Sequence, residues 1–270
     1  MELKGKVAVI SGAGGLGSGR AEALRLAAEG CRVVVSDIDE AGCVETVRQI
    51  AASHGKSTWL GCNVADAENV AALMSFAEQT YGGLDIVISN ASAPYRPRAP
   101  FSAWRETIEV DLFGAIYGVQ FALPIMTRRG GGTILNISST SALGHGSGHS
   151  GAPAYDIAKV GVLRLTTMLR DLHEKSNVRV NCLAPGWVAV PEVKAYFDAL
   201  TPEQRRDPRL PPRLTTLAEL TQTVVEVLRD ESLSGRLVVM WSGQQPGTVP
   251  AEDPGYERLD PYGSALCVES

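Results

Sequence analysis

Tyr155 and Lys159 stand four residues apart in Tyr155-Asp156-Ile157-Ala158-Lys159, downstream of two hydroxyls, Ser138 and Ser139, that follow the apolar run Thr133-Ile134-Leu135-Asn136-Ile137. Residues four apart share one face of a helix, so this spacing sets an ammonium beside a phenol. A free phenol titrates near ~10, and lowering that by about three units requires ~4 kcal/mol of preference for the phenolate. One cation at ~4 Å in an effective dielectric of ~20 supplies about that much, and a second positive charge such as an oxidised nicotinamide adds to it. With Ser139 holding a carbonyl or alcohol oxygen against the phenol, the set suits proton transfer coupled to hydride transfer. The pair alone carries little weight: the tyrosine and lysine content gives about 0.16 such pairs by chance, so other features must support it.

The elements around the pair supply that support. The run 133–137 is short, β-branched and preceded by Gly130-Gly131-Gly132, which predicts a buried strand presenting the serines at its carboxyl end. Ile157, Val160, Leu163, Leu165 and Leu169 recur at roughly helical spacing, so Tyr155 opens a helix. Near the start, Val7-Ala8-Val9-Ile10 runs into Ser11-Gly12-Ala13-Gly14-Gly15-Leu16-Gly17-Ser18-Gly19 and then a helical pattern. Strand, glycine turn and helix form a context that suits a pyrophosphate, because the backbone must approach it closely while the helix amino end offers N–H groups. The strand 32–36 ends at Asp37, where a carboxylate can accept from both hydroxyls of an adenosine ribose and repels a 2′-phosphate. Ile38 follows with no arginine, which points to NAD rather than NADP.

The alternation continues. Strands near 58–62 and 85–89 end in Asn63-Val64 and Asn90-Ala91-Ser92, although asparagines there also serve as plain turn formers. A long helix is expected from Trp104 to Met126, containing Asp111, with Gly114 and Gly118 marking close approach of another helix. A sixth strand, 178–183, leads to Ala184-Pro185-Gly186-Trp187-Val188, and a helix (217–229) and strand (236–241) complete the series. The expected fold is α/β: a Rossmann-like, doubly wound parallel sheet of seven strands with helices on both faces, in one domain over 1–243. Residues 190–213, broken by prolines, read as a substrate loop; 244–270 is a proline-rich tail in which prolines 246, 250, 254 and 261 exclude regular structure.

Composition excludes several classes. A net charge of −5 with scattered Lys and Arg argues against nucleic acid. No apolar run in the sequence reaches membrane-spanning length, and the chain enters a strand at once, so a cytoplasmic location without a signal peptide is expected. Cys31, Cys43, Cys62, Cys182 and Cys267 have no paired metal spacing and are expected reduced and mostly buried. His145 and His149 are interrupted by glycines, so a loop rather than a metal face is expected, and no metal.

Taken together over about residues 5–243, these motifs resemble the short-chain dehydrogenase/reductase family in its compact single-domain branch. The resemblance implies NAD(H) binding, interconversion of a secondary alcohol and a ketone, and a homodimer or homotetramer. It assigns Tyr155 as acid/base, Lys159 as the residue that sharpens it and binds nicotinamide ribose, and Ser139 as the holder of the substrate oxygen. It also implies that Gly12, Gly17 and Gly19 line the pyrophosphate and Asp37 the adenosine ribose. Asn63 and Val64 would meet the adenine, Asn90 with Ala91 the nicotinamide side, and Pro185 with Val188 the carboxamide.

Three features depart from the family. Its turn is usually TGxxxGxG, whereas Gly12, Gly17 and Gly19 fit with one extra residue and Gly12, Gly14 and Gly17 fit an older dinucleotide pattern; counting back from Glu29-Gly30 favours Gly19. Asp111 replaces an asparagine whose backbone helps connect a water to the lysine, and a carboxylate there raises the lysine pKa. Val190 replaces a threonine near the nicotinamide amide. Two alternatives follow: an NAD-binding sensor or scaffold, motivated by Asp111 and Val190 together, and an isomerase or dehydratase reusing the cofactor. Tyr95, His145, His149, Trp187, Tyr196 and Phe197 are candidates for an aromatic, mostly apolar substrate pocket.

Overall fold

In the computed structural model, residues 1–143 and 150–250 are described. Eight strands form one sheet: β1 Val7–Ser11, β2 Arg32–Asp37, β3 Lys56–Gly61, β4 Ile86–Ser89, β5 Gly132–Ile137, β6 Val178–Pro185, β7 Leu237–Met240 and β8 Gly247–Thr248. Their order is β3-β2-β1-β4-β5-β6-β7-β8, parallel except for the β7–β8 pair. β1, β2 and β6 are buried along nearly their whole length, as strands covered on two sides are, whereas β3 at the sheet edge is partly exposed.

The helices are α1 Ser18–Ala28, α2 Glu40–Ala52, α3 Ala67–Tyr81, α4 Trp104–Ile108, α5 Gly114–Arg128, α6 Pro153–Met168, α7 Leu172–Ser176, α8 Pro191–Asp198 and α9 Leu217–Arg229. One face of the sheet packs against α1, α2 and α9 through Ala23, Leu26, Ile50, Leu220 and Leu228. The other packs against α3 and α5 through Leu73, Met74, Val119, Ala122 and Met126. Chain order reverses between β1 and β4, so a crevice opens at their carboxyl ends, the place where ligands bind in open parallel sheets.

Three expectations need correction. The sheet has eight strands, because two residues between Pro246 and Pro250 add an antiparallel edge to β7. The prolines flank that strand without occupying its paired positions, so they limit its length and do not abolish it. Gly114 and Gly118 admit a loop and a strand rather than a helix: a Cβ on Gly114 would lie 2.9 Å from a Val64 methyl in the loop after β3, and one on Gly118 would lie 2.8 Å from Ser89 Oγ of β4. The close helix–helix contact is made by Gly161, whose Cβ would lie 2.9 Å from Leu112. On α6, Ile157 and Val160 point outward at 50% and 47% exposure, while Ala154, Ala158, Val162 and Leu163 face inward.

The third concerns length of apolar helix. The continuous helical stretch Phe101–Arg128 is long and apolar enough by composition to cross a membrane. Its apolar content is accounted for by packing, since α5 buries Ala115, Val119, Ala122, Ile125 and Met126 against the domain. Cys31, Cys43, Cys62 and Cys182 are buried free thiols; Cys267, like His145 and His149, lies outside the described residues.

Candidate active site

The turn between β1 and α1 is shaped by close contacts that only glycine permits. Gly12 has φ +68°, and a Cβ there would lie 2.7 Å from Ala91 Cα. A Cβ on Gly19 would lie 2.3 Å from Gly12 O, so this glycine brings α1 hard against the turn. Gly17 is different. It is the N-cap of α1, makes no side-chain capping bond, and a Cβ there would meet only Val190 Cγ1 at 3.9 Å. Gly12 and Gly19 thus build the turn, Gly17 is left with open space around it, and Gly14 lies against Asp37 and Asp39 beyond the end of β2.

Asp37 ends β2 beside Gly14. Its Oδ2 accepts from Gly14 N at 2.9 Å and its Oδ1 from Asp39 N at 3.1 Å, so its carboxylate is held at the mouth of the crevice. Asn90 is tied by its side chain to the glycine turn. Its Nδ2 donates to Ser11 O and Gly12 O at 3.1 and 3.2 Å, and its Oδ1 accepts from Ser18 Oγ at 2.7 Å. Asn90 braces the glycine turn, and Ala91 N completes the junction on Ser11 Oγ at 3.2 Å. Asn63 is exposed and caps its own turn by accepting from Ala65 N at 3.1 Å, whereas Val64 is buried against Gly114. Pro185 ends β6; Val188 beyond it is bridged to Thr215, and Val190 starts α8 over Gly17.

Ser139, Tyr155 and Lys159 come from the carboxyl end of β5 and the first turns of α6. Ser139 is partly exposed, and its Oγ accepts from Ser141 N at 3.2 Å. Its buried neighbour Ser138 donates from Oγ to Lys159 O at 2.9 Å and so clamps α6 to β5. Lys159 is 3% exposed; its ammonium donates to Ile137 O at 3.1 Å and lies 5.4 Å from the centre of the Tyr155 ring. Tyr95, on the loop after β4, meets that ring edge-on at 6.2 Å and donates from its hydroxyl to Ser150 O.

Asp111 is the unexpected centre of this group. It sits in a π-helical turn, Glu109–Phe113, between α4 and α5; the wider turn is of the kind that marks functional sites in helices. Its carboxylate is 3% exposed, pairs with Lys159 Nζ at 2.9 Å, and accepts from Ser92 Oγ at 2.6 Å and Ala93 N at 2.9 Å. Burial opposes the charge on Lys159 more than any other single influence. The Asp111 carboxylate, Tyr155 and the hydrogen bond from Asp111 together outweigh it and hold the lysine pKa above its ordinary value. Ser92 was missed as a site residue in the sequence, where an exposed loop carries no periodic signal, whereas Tyr95 on the same loop is one of the pocket candidates named from the sequence.

A parallel sheet with this crossover order and a glycine turn at its switch point is a dinucleotide-binding fold. The family described as short chain dehydrogenase matches residues 6–200, and the chain belongs to it. It is 37% identical over 193 residues, covering 70% of this chain and 75% of the relative, to the cis-4-hydroxycyclohexanecarboxylate dehydrogenase of Sinomonas cyclohexanicum. It is 31% identical over 237 residues, 86% of this chain and 90% of the relative, to the cyclohexanol dehydrogenase of an Acinetobacter strain. A 7α-hydroxysteroid dehydrogenase solved with NADH and 7-oxo glycochenodeoxycholic acid superposes with a TM-score of 0.79 at 29% identity, covering 90% of this chain and 95% of that one. The chain is therefore an oxidoreductase fold of a family that binds a nicotinamide cofactor. Its own residues fit that group: the amino end of α1 has no side-chain cap, and Gly15 and Gly17 leave the approach free.

Proposed function

We propose that this protein interconverts secondary ring alcohols and ketones with NAD(H), with Tyr155 as the acid/base. One observation carries the reading: the Lys159 ammonium is buried 5.4 Å from the Tyr155 ring, at the same sheet edge as a turn open to a pyrophosphate. The bound nicotinamide supplies the hydride acceptor or donor. Gly12, Gly17 and Gly19 hold the pyrophosphate side, Asp37 the adenosine ribose and Lys159 the nicotinamide ribose. Ser139 positions the substrate oxygen, Tyr155 takes its proton in oxidation and returns one in reduction, and Tyr95 walls the site. The preference for a ring rests on the substrates named for the two relatives and the steroid enzyme, together with the aromatic wall of Tyr95, Trp187 and Tyr196.

Initial rates at 340 nm with NAD and NADP test this across cyclohexanol, cis-4-hydroxycyclohexanecarboxylate, a hydroxysteroid and a linear secondary alcohol. Faster reduction of NAD with the ring alcohols is expected, and no reduced nicotinamide from any of them would end the proposal. Cofactor choice has its own check. The Asp37 carboxylate, with the exposed Ile38 beside it, places negative charge where a 2′-phosphate would sit. NAD is expected to be preferred by about 10²-fold or more in kcat/KM, since juxtaposed like charges cost several kcal/mol. Asp37→Ser is expected to narrow the ratio at least ten-fold, and an unchanged ratio would remove Asp37 from that role.

A homo-oligomer belongs to the same proposal. Ile157, Val160 and Met168 leave apolar side chains exposed on α6, and Phe113 is exposed in the π-helical turn. A second copy of the chain suits such a face. Light scattering is expected to give a dimer or tetramer for the wild type and a smaller species for Val160→Glu; a wild-type monomer would contradict this.

A further inference from the structure

Arg20 stands where its charge is costly. It lies in the first turn of α1, at the positive end of the helix dipole, and is only 8% exposed. Its described hydrogen bonds reach carbonyl oxygens alone: Nη2 donates to Gly14 O and, at 3.2 Å, to Gly42 O in the first turn of α2, while Nε is buried without a partner among the described residues. A guanidinium keeps its charge in a protein, and burying that charge without a carboxylate opposes folding.

The residue that Arg20 grips also holds Asp37. Gly14 gives its N–H to Asp37 Oδ2 at 2.9 Å, Asp39 gives its own to Asp37 Oδ1 at 3.1 Å, and Asp39 Oδ1 accepts from Gly42 N at 3.0 Å. The packing is close: a Cβ on Gly14 would lie 2.7 Å from Asp39 O and 2.8 Å from Asp37 Cβ, and one on Gly42 would overlap Gly14 O. Thr46 Oγ1 ties down the preceding residue by donating to Ala13 O at 2.8 Å. Gly14 belongs to the stretch between Gly12 and Gly17 that is one residue longer than the family's turn. Contacts thus run from α1 through the long turn to the end of β2 and into α2, and each Asp37 oxygen keeps a lone pair for a further donor.

We infer that Arg20 is a positioning residue for recognition of the adenosine ribose: by fixing Gly14 it aims the Asp37 carboxylate, so that selectivity for the ribose hydroxyls depends on α1 as well as on the end of β2. This rests on the reading of Asp37 above and adds the residue that holds it in place. Without the guanidinium, Gly14 O loses its donor, the long turn relaxes, and Gly14 N no longer fixes Oδ2. The ribose then meets a carboxylate that must be ordered on binding, and that ordering costs affinity. Arg20 acts through Gly14 and Asp37, with its described donors turned to carbonyls of the protein.

The test is binding without turnover. NADH and its analogue lacking the adenosine 2′-hydroxyl are titrated by fluorescence, and their dissociation constants are compared. Wild type is expected to prefer NADH at least ten-fold, since hydrogen bonds to an ionised acceptor are the strong ones. Arg20→Met is expected to weaken NADH at least five-fold and to narrow the preference to three-fold or less, as Asp37→Ala does. Adding Arg20→Met to Asp37→Ala is expected to weaken NADH by less than a further two-fold, because residues that act through one another are not additive. Equal weakening of NADH and the deoxy analogue by Arg20→Met, the result of general structural damage or of a lost attraction to the pyrophosphate, would overturn the inference. So would a double variant in which the two losses multiply. Where Arg20→Met does not fold, Arg20→Gln keeps an amide donor and drops the charge; its preference is expected to narrow at least two-fold, and an unchanged preference would overturn the role. A wild type that binds both compounds alike removes the assignment of Asp37, and the inference with it. A wild type and an Arg20→Met protein that discriminate equally leave Asp37 in place and remove Arg20 alone.

Discussion

Tyr155→Phe protein is expected to fold, bind NAD with near wild-type affinity and turn over about 10²–10⁴-fold more slowly, the range that a positioned proton-transfer group supplies. The change removes one oxygen from a partly exposed side chain and keeps the ring that packs edge-on against Tyr95, so the loss is chemical rather than structural. It falls on kcat and kcat/KM together, because the proton is in flight only in the transition state. Undiminished turnover in this variant would take the acid/base role away from Tyr155.

The second large effect concerns stability. Glu22 on α1 is fully buried, and neither of its carboxylate oxygens has a hydrogen-bond partner among the described residues. Burial pushes its pKa up from 4.5 to about 8. A carboxyl raised in this way binds its proton more tightly in the folded than in the unfolded chain. Its contribution is therefore complete below about pH 4.5 and is lost as the pH climbs through the folded value near 8. At 1.36 kcal/mol per pH unit, the loss by pH 9 is at most roughly 5 kcal/mol, and less if water reaches the site. Glu22→Met removes the buried acid at similar volume, so it is expected to raise Tm at pH 8–9 by several degrees and to flatten the dependence of Tm on pH. Calorimetry between pH 5 and 9 decides this; parallel Tm curves for the two proteins would mean that Glu22 is not buried without a partner.

Much of the fold was legible because it rests on short-range signals. Apolar β-branched runs mark β1, β2, β4 and β5, and glycine clusters mark the turn before α1 and the start of β5. What periodicity does not give is which side of a helix meets the sheet when both sides carry apolar residues. Ile157 and Val160 share the helical spacing of Leu163, yet Ala158, Val162 and Leu163 are the ones enclosed. Nor does periodicity show a two-residue strand, since β8 exists only because β7 offers it a free edge.

The site was legible by residue type and only partly by role. Lys159 lies beside the Tyr155 ring as their spacing requires, Ser139 follows the carboxyl end of β5, and the glycines lie at the switch point. Asn90 spends its side-chain hydrogen bonds on the glycine turn and the first residue of α1, a bracing role that its place at a strand end does not reveal. Asp111 looked like a lone substitution in a helix. Its partners Ser92 and Ala93 lie 19 and 18 residues away, and Lys159 is a further element away, so their convergence depends on tertiary packing around the π-helical turn.

The most direct measurement follows the hydrogen itself. Cyclohexanol carrying deuterium at C1 is incubated with the protein and NAD, and the nicotinamide is examined by mass spectrometry. One deuterium on the reduced cofactor, appearing in step with cyclohexanone and suppressed in Tyr155→Phe, is the predicted result. Cyclohexanone formed with no label on the nicotinamide, or no ketone at all from any deuterated ring alcohol, would contradict it.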